Sequence, residues 1–296
     1  MFNIANPFTQ VLLPLVVMVV MFALGTTLTL ADLRRVLRQP QALLMGLLAH
    51  TVLLPALAIG VAILLRLAPP MAVGLVLIAA CPANAAVNLF TYLARGDTML
   101  SVALTACASM LSVLTIPLFM SLALPLFQGG DAAVRFPLLP TALGLFLVTT
   151  LPVMGGMLLR RRSPHFAREL ESRMARFGAI LIVLIVAGAI WSAQSDILQA
   201  LVRMGTPVLL LNVFSMATAW SLAILMRLPK EQCVAVGFEN GLQNFGLAAF
   251  VALSLMQDAE LLIPAVAYGL TMWTTAIGVL LLVRLKRPRA SANDLT

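Results

Sequence analysis

The chain has 296 residues, of which 61% are hydrophobic and 10% charged, with a formal net charge of +8 and a mean hydropathy of +1.04. A soluble protein of this length would expose far more charge, so these values exclude the soluble globular class and point to a polytopic helical membrane protein. The basic excess would suggest nucleic acid only if the bases gathered on one soluble face, and they fall instead in the links between apolar runs.

A transmembrane helix needs roughly 20 mostly apolar residues. The first run follows "MFNIANPFTQ", which has no Lys or Arg. A cleaved signal peptide would need a basic start and a shorter apolar core, so this run is read as a retained helix. In chain order the expected spans are 10–30, 41–66, 71–95, 98–126, 136–160, 174–194, 205–227, 231–256 and 261–285. The expected fold is therefore all-α and polytopic, with about nine transmembrane helices in a single domain over 1–296.

The links alternate in charge. The first carries Arg34, Arg35 and Arg38, and the second, around Pro69 and Pro70, carries none. The third has Arg95 and the fourth Arg135 near Asp131. The fifth is strongly basic, with Arg160, Arg161, Arg162, Arg168, Arg173 and Arg176. The sixth has Asp196 and Arg203, the seventh Arg227 and Lys230, the eighth only Asp258 and Glu260. The tail has Arg284, Lys286, Arg287 and Arg289. By the positive-inside rule the N-terminus lies outside and the tail, 286–296, in the cytoplasm. The expected location is a plasma (inner) membrane. The Arg-rich, Ala/Leu-rich composition suggests a GC-rich bacterial genome.

Of eleven Asp and Glu residues, only Glu239 lies well inside a span. An acid at mid-bilayer costs about 2.5–3.5 kcal/mol on insertion scales, and such residues usually mark an ion or substrate path. Its setting is "GFENGLQN", residues 237–244. Gly237, Gly241 and Gly246 weaken the helix there. An interrupted helix frees carbonyls that survive in lipid only beside protein or a cavity. Those carbonyls, the carboxylate and the amides of Gln243 and Asn244 form an oxygen-rich set of the kind a hard cation prefers.

The third span holds a second interruption, "CPANAAVNLFTYLARGD", residues 81–97. Pro82 cannot continue the hydrogen-bond ladder, and Asn84 and Asn88 are amides at membrane depth. By the topology above, the third span runs inward and the eighth outward. Paired broken helices of opposite sense are the mark of inverted-repeat transporters, with the site where they cross. The halves are unequal: 10–126 forms a shortened first repeat and 136–285 the second. In the fourth span Ser101, Thr105 and Ser109 share one helical face, where they serve as ligands or as packing contacts. His50, inside the second span, is the side chain most able to titrate near neutral pH. Cys81, Cys107 and Cys233 have no metal-ligand spacing and read as small apolar residues. No zinc motif, phosphate loop or nucleophile with a base is present, so no enzyme is expected.

"CPANAAVNLFTYLARGD" with "MLSVALTACASMLSVLTIPL", "GFENGLQNFGLA" and the early "MFALGTTLTLADLRRVLRQP" together resemble the bile acid:sodium symporter family over nearly the whole chain. The resemblance implies a core domain with two crossed broken helices and a panel domain packed against it, without the first of ten helices. It implies one or two sodium ions and no organic cofactor. Asn88, Ser101, Thr105 and Glu239 would form the first sodium site. Glu239, Gln243 and the carbonyls of Asn240 and Leu242 would form the second, to which His50 stands adjacent. Asn84, Asn88, Asn244, Thr274 and Thr275 fall at or near the substrate. Three positions depart from the family pattern: Val87 stands for Ser, His50 for Gln, and Thr274-Thr275 for His-Asn. An imidazole is a poor sodium ligand, so His50 leaves open a proton as the coupled ion.

The expected function is a secondary active transporter with alternating access, moving an organic anion (bile-acid-like or another small carboxylate) with sodium across the lipid bilayer. A proton-coupled carrier or an exporter of the same fold is the alternative. From another class, a membrane sensor would bind ligand without moving it.

Overall fold

A computed structural model describes residues 8–27, 29, 40–129, 138–170 and 194–285, together with 173, 174, 176, 177, 180 and 184. Arg34, Arg35, Arg38, Asp131, Arg135, most of the expected sixth span and the tail lie outside the described residues.

The helices are α1 (Leu13–Thr27), α2 (Pro40–Leu64), α3 (Pro69–Ala80), α4 (Ala86–Leu93), α5 (Thr98–Gln128), α6 (Leu138–Arg162), α7 (Gln194–Leu225), α8 (Lys230–Glu239), α9 (Phe245–Leu255) and α10 (Leu262–Leu285). Among the described residues six stretches are long and apolar enough to cross a membrane: α2, α5, α6, α10, Gln10–Thr27 and Gln199–Leu225. The third and eighth expected spans are each two short helices, α3 with α4 and α8 with α9. Breaks at Cys81–Ala85 and Asn240–Asn244 separate them. One boundary differs clearly from expectation. Helix α7 is already helical at Gln194, the first described residue there, whereas the expected span starts near 205. Hydropathy marks only the apolar part of a helix, and Asp196 and Arg203 are polar without being helix breakers.

The outer surface is apolar. Leu114, Leu118, Leu122 and Leu126, four apart along α5, are all more than half exposed. Such a stripe suits lipid rather than water. Helix α3 is the opposite case and buries every residue from Ala72 to Ala80. It is enclosed by α2, α5 and α10, whereas α8 lies against α5, α7 and α4. Helices α1 and α6 run together elsewhere. A side chain at Gly25 would strike the Val153 carbonyl, and one at Gly156 the Phe22 carbonyl. Small residues thus let two backbones touch, as membrane helices often do.

Two π turns, Ala49–Leu53 and Phe146–Thr150, come just before Pro55 and Pro152. A proline offers no N–H to the usual partner four residues back, so the ladder widens there. His50 sits inside the first of these turns. Helices α2, α4 and α7 end alike, on an arginine with positive φ: Arg66 at 48°, Arg95 at 54° and Arg227 at 58°. In each case the next N–H reaches back to a freed carbonyl, as in Leu67 to Ala62 (3.0 Å), Gly96 to Thr91 (2.8 Å) and Leu228 to Ala223 (3.0 Å). This is the Schellman closure, which offsets the cost of the left-handed residue.

The broken spans run in opposite senses. Ala83 and Gln243 form an antiparallel bridge. The N–H of Asp97, just past α4, donates to the Glu231 carbonyl at the start of α8 (2.9 Å). Phe90 of α4 and Phe238 of α8 pack with ring centroids 5.8 Å apart.

Candidate functional site at the crossing of two broken helices

The two breaks satisfy one another. The N–H of Asn84 donates to the Leu242 carbonyl (3.0 Å), and the N–H of Asn244 to the Pro82 carbonyl (2.9 Å). The Asn84 amide adds a bond to the Gln243 carbonyl (3.2 Å). An unpaired backbone group in lipid costs several kcal/mol, so each irregular segment is tolerable because the other is there. Asparagine starts the second half of each broken span. The Asn84 side chain accepts from the N–H of Ala86 (2.8 Å) and the Asn244 side chain from that of Leu247 (3.0 Å). Asn244 is thereby the N-cap of α9, whereas Asn84, two residues before α4, closes an Asx turn that leads into the helix.

Glu239 is the last residue of α8 and is fully buried. Its Oε2 accepts from the Thr105 hydroxyl (3.1 Å), which also lies 3.0 Å from the Ser101 carbonyl. Its Oε1 has no partner. The Ser101 hydroxyl donates to Asn88 Oδ1 (2.9 Å) and accepts from Thr91 (3.3 Å). Asn88, Ser101, Thr105 and Glu239 are thereby brought into one linked set from α4, α5 and α8. Ser109 donates to the Thr105 carbonyl along its own helix, which is a local contact.

Gln243, also fully buried, leaves its Oε1 without a partner, while its Nε2 lies 3.4 Å from the Asn240 carbonyl. The Asn240 carbonyl accepts from Ser215 (2.8 Å), and that of Leu242 is engaged by Asn84. Two buried oxygens without donors, one of them on a carboxylate, fit a cation with oxygen ligands. Burying a carboxylate with an unpaired oxygen is otherwise expensive.

His50 is buried, and its Nε2 lies 3.1 Å from the Cys81 carbonyl. A carbonyl only accepts, so this nitrogen carries the hydrogen and cannot hold a cation in this arrangement. The other nitrogen, Nδ1, has no partner. Val87 is fully buried in the apolar core and contributes no oxygen. Thr274 is exposed, and its hydroxyl donates to its own helix at Thr271. Thr275 likewise bonds Met272 (2.9 Å), and it lines an apolar cavity of about 300 Å³ together with Met216, Trp220 and Val279. No described contact joins either threonine to Asn84 or Asn244.

The breaking residues are fewer than expected. Gly237 and Gly246 lie inside helices, and only Gly241 falls within the break. Gly237 instead makes room for the indole of Trp220, and Gly241 for the Met216 thioether. Sequence reasoning passed over Asn212, Ser215 and Tyr268, all buried and all donating to carbonyls of the second break. Asn212 and Ser215 are polar and three apart within an otherwise apolar run, which is the signal that marks them.

A protein-family model for the sodium bile acid symporter family matches residues 14–201, well over half of the chain. Among curated proteins, the rice (Oryza sativa subsp. japonica) "Probable sodium/metabolite cotransporter BASS2, chloroplastic" is 29% identical over 83% of this chain and 57% of its own length. The Bacillus subtilis "Uncharacterized sodium-dependent transporter YocS" is 28% identical over 79% of this chain and 71% of its own. The human "Ileal sodium/bile acid cotransporter" is 27% identical over 88% of this chain and 74% of its own. The chain thus spans little more than half of the rice relative. With the family model covering most of the sequence, this chain belongs to the sodium bile acid symporter family.

Proposed function

We propose that the chain is a secondary active transporter that carries an organic anion together with sodium, by alternating access. The observation that carries this reading is the partnerless Oε1 of buried Glu239 at the crossing, beside a break whose Gln243 also leaves an oxygen free. Asn88, Ser101, Thr105 and Glu239 form the first cation site. Glu239, Gln243 and the second lone pairs of the Asn240 and Leu242 carbonyls form the other. Asn84 and Asn244 stand at the crossing beside new helix N-termini, which favour an anion. Cation binding neutralises Glu239 and orders both breaks, and that order couples cation to anion. Residues 10–126 and 136–285 act as two inverted repeats. Helices α2 to α5 and α7 to α10 form the core, and α1 with α6 belongs to the panel it moves against. The close backbone packing of α1 on α6 supports that division.

The test is thermal stability of the purified protein in sodium versus potassium chloride at equal ionic strength. A ligand present at 100 times its Kd stabilises the folded state by about 2.7 kcal/mol. A sodium-specific rise that disappears in Glu239→Gln supports the reading, as does loss of sodium-driven uptake by that variant in proteoliposomes. Normal coupled uptake by Glu239→Gln would sink it. The second reading, a proton-coupled carrier, rests on the unpartnered Nδ1 of His50. It predicts uptake driven by a pH gradient without sodium.

A further inference from the structure

The carbonyls freed by the second break do not rely on the break itself. Asn240 is held by the Ser215 hydroxyl (2.8 Å) and Gly241 by the Asn212 amide, whose Nδ2 lies 2.6 Å from the carbonyl oxygen. The Tyr268 hydroxyl of α10 adds a longer contact to Gly241 (3.3 Å). The orientation of the Asn212 amide is fixed by chemistry, because flipping it would set oxygen against oxygen. Ser215 and Asn212 lie on α7, the helix that precedes the broken span. The same helix sets Met216 against Gly241 and Trp220 against Gly237. Residues 212, 215, 216 and 220 stand at i, i+3, i+4 and i+8, so one face of α7 carries these four contacts. The first break repeats the pattern: His50, on the helix that precedes it, meets the Cys81 carbonyl.

We propose that Asn212 and Ser215 are positioning residues of the cation site, fixing through the Asn240 and Gly241 carbonyls the turn on which Glu239 and Gln243 stand. His50 has the matching role at the first break. Both side chains touch the backbone of the turn and set the affinity for the cation through it. This inference rests on the cation-coupled reading above. A mere packing role would lower stability in every salt. A positioning role changes how much sodium is needed.

The experiment measures the sodium concentration that gives half of the maximal rise in melting temperature, for the full chain and for Asn212→Leu, Ser215→Ala and Ser215→Thr. Leucine keeps the branched shape of Asn212, with somewhat more bulk, and removes its donor, and threonine restores a hydroxyl at 215. The expected result is a half-maximal concentration raised about tenfold in Asn212→Leu and Ser215→Ala, the factor that corresponds to one lost hydrogen bond of ~1.4 kcal/mol. Ser215→Thr is expected to return toward the parent value. An unchanged half-maximal concentration in Ser215→Ala, with only a lower melting temperature in potassium, overturns the inference and leaves the cation reading standing. If the unsubstituted chain shows no sodium-specific rise, the cation reading and this inference fall together. Should Asn212→Leu not fold, the serine pair decides alone.

Discussion

The first break, Cys81–Ala85, contains a proline and no charge, whereas the second, Asn240–Asn244, contains a glycine and follows directly on a carboxylate. Pro82 removes a backbone donor and so weakens the first span at that point, although Pro117, Pro125 and Pro207 sit inside unbroken helices, so the proline favours this break without forcing it. The second span has no such residue, and a single glycine only weakens a helix by about 1 kcal/mol. Its break is instead held open from outside, by Asn212, Ser215 and Tyr268 on the neighbouring helices. Among the described residues one side chain of a neighbouring helix, His50, reaches a carbonyl of the first break, and Asn84 in turn reaches the Met272 thioether of α10. A break imposed by local chemistry can serve as a fixed scaffold. A break imposed by neighbours can respond to what binds among them, and the second is where the acid stands.

Glu239→Gln strikes this contrast hardest, with complete loss of sodium-dependent stabilisation expected, as set out above. Next comes Gly241→Val, whose side chain would meet the Met216 sulfur and Cγ. Overpacking of this kind costs typically 1–3 kcal/mol, and the melting temperature should fall in sodium and potassium alike. A wild-type melting temperature in this variant would show that the second break has slack, against the clamp described here. Asn84→Ala removes the Asx-turn bond to the Ala86 N–H and the side-chain bond to the Gln243 carbonyl. A loss of about 1–2 kcal/mol is expected, smaller than for Gly241→Val because Pro82 still favours the break. Leu118→Ala, on the exposed stripe of α5, should change stability by no more than about 0.5 kcal/mol. A larger loss there would mean that the stripe is covered by protein rather than by lipid.

Much of the crossing was legible in the sequence. Glu239 stood out because a charge inside an apolar run has few explanations, and Pro82 because a proline next to the amides Asn84 and Asn88 interrupts an apolar run with polar groups. The linked set of Asn88, Ser101, Thr105 and Glu239 was reached only through the family resemblance, since nothing in spacing joins residues 88 and 239. Thr274 and Thr275 were placed near the substrate by the same resemblance, and in the folded chain the hydroxyl of each bonds its own helix. Gly237 reads as a breaker in the sequence, and in the structure it lies inside a helix and makes space for an indole.

By itself, then, the sequence determined the membrane class, the order of the described spans and the places where two of them break. These follow from local quantities: hydropathy over about 20 residues, the missing N–H of proline and the cost of a lone acid in lipid. Only the tertiary structure decided how each break is satisfied. The bonds from Asn84 to Leu242 and from Asn212 to Gly241 join residues far apart in the chain. Their partners are backbone carbonyls, which every residue carries and which no sequence pattern therefore marks. Which carbonyl is free, and which side chain reaches it, depends on how the helices pack.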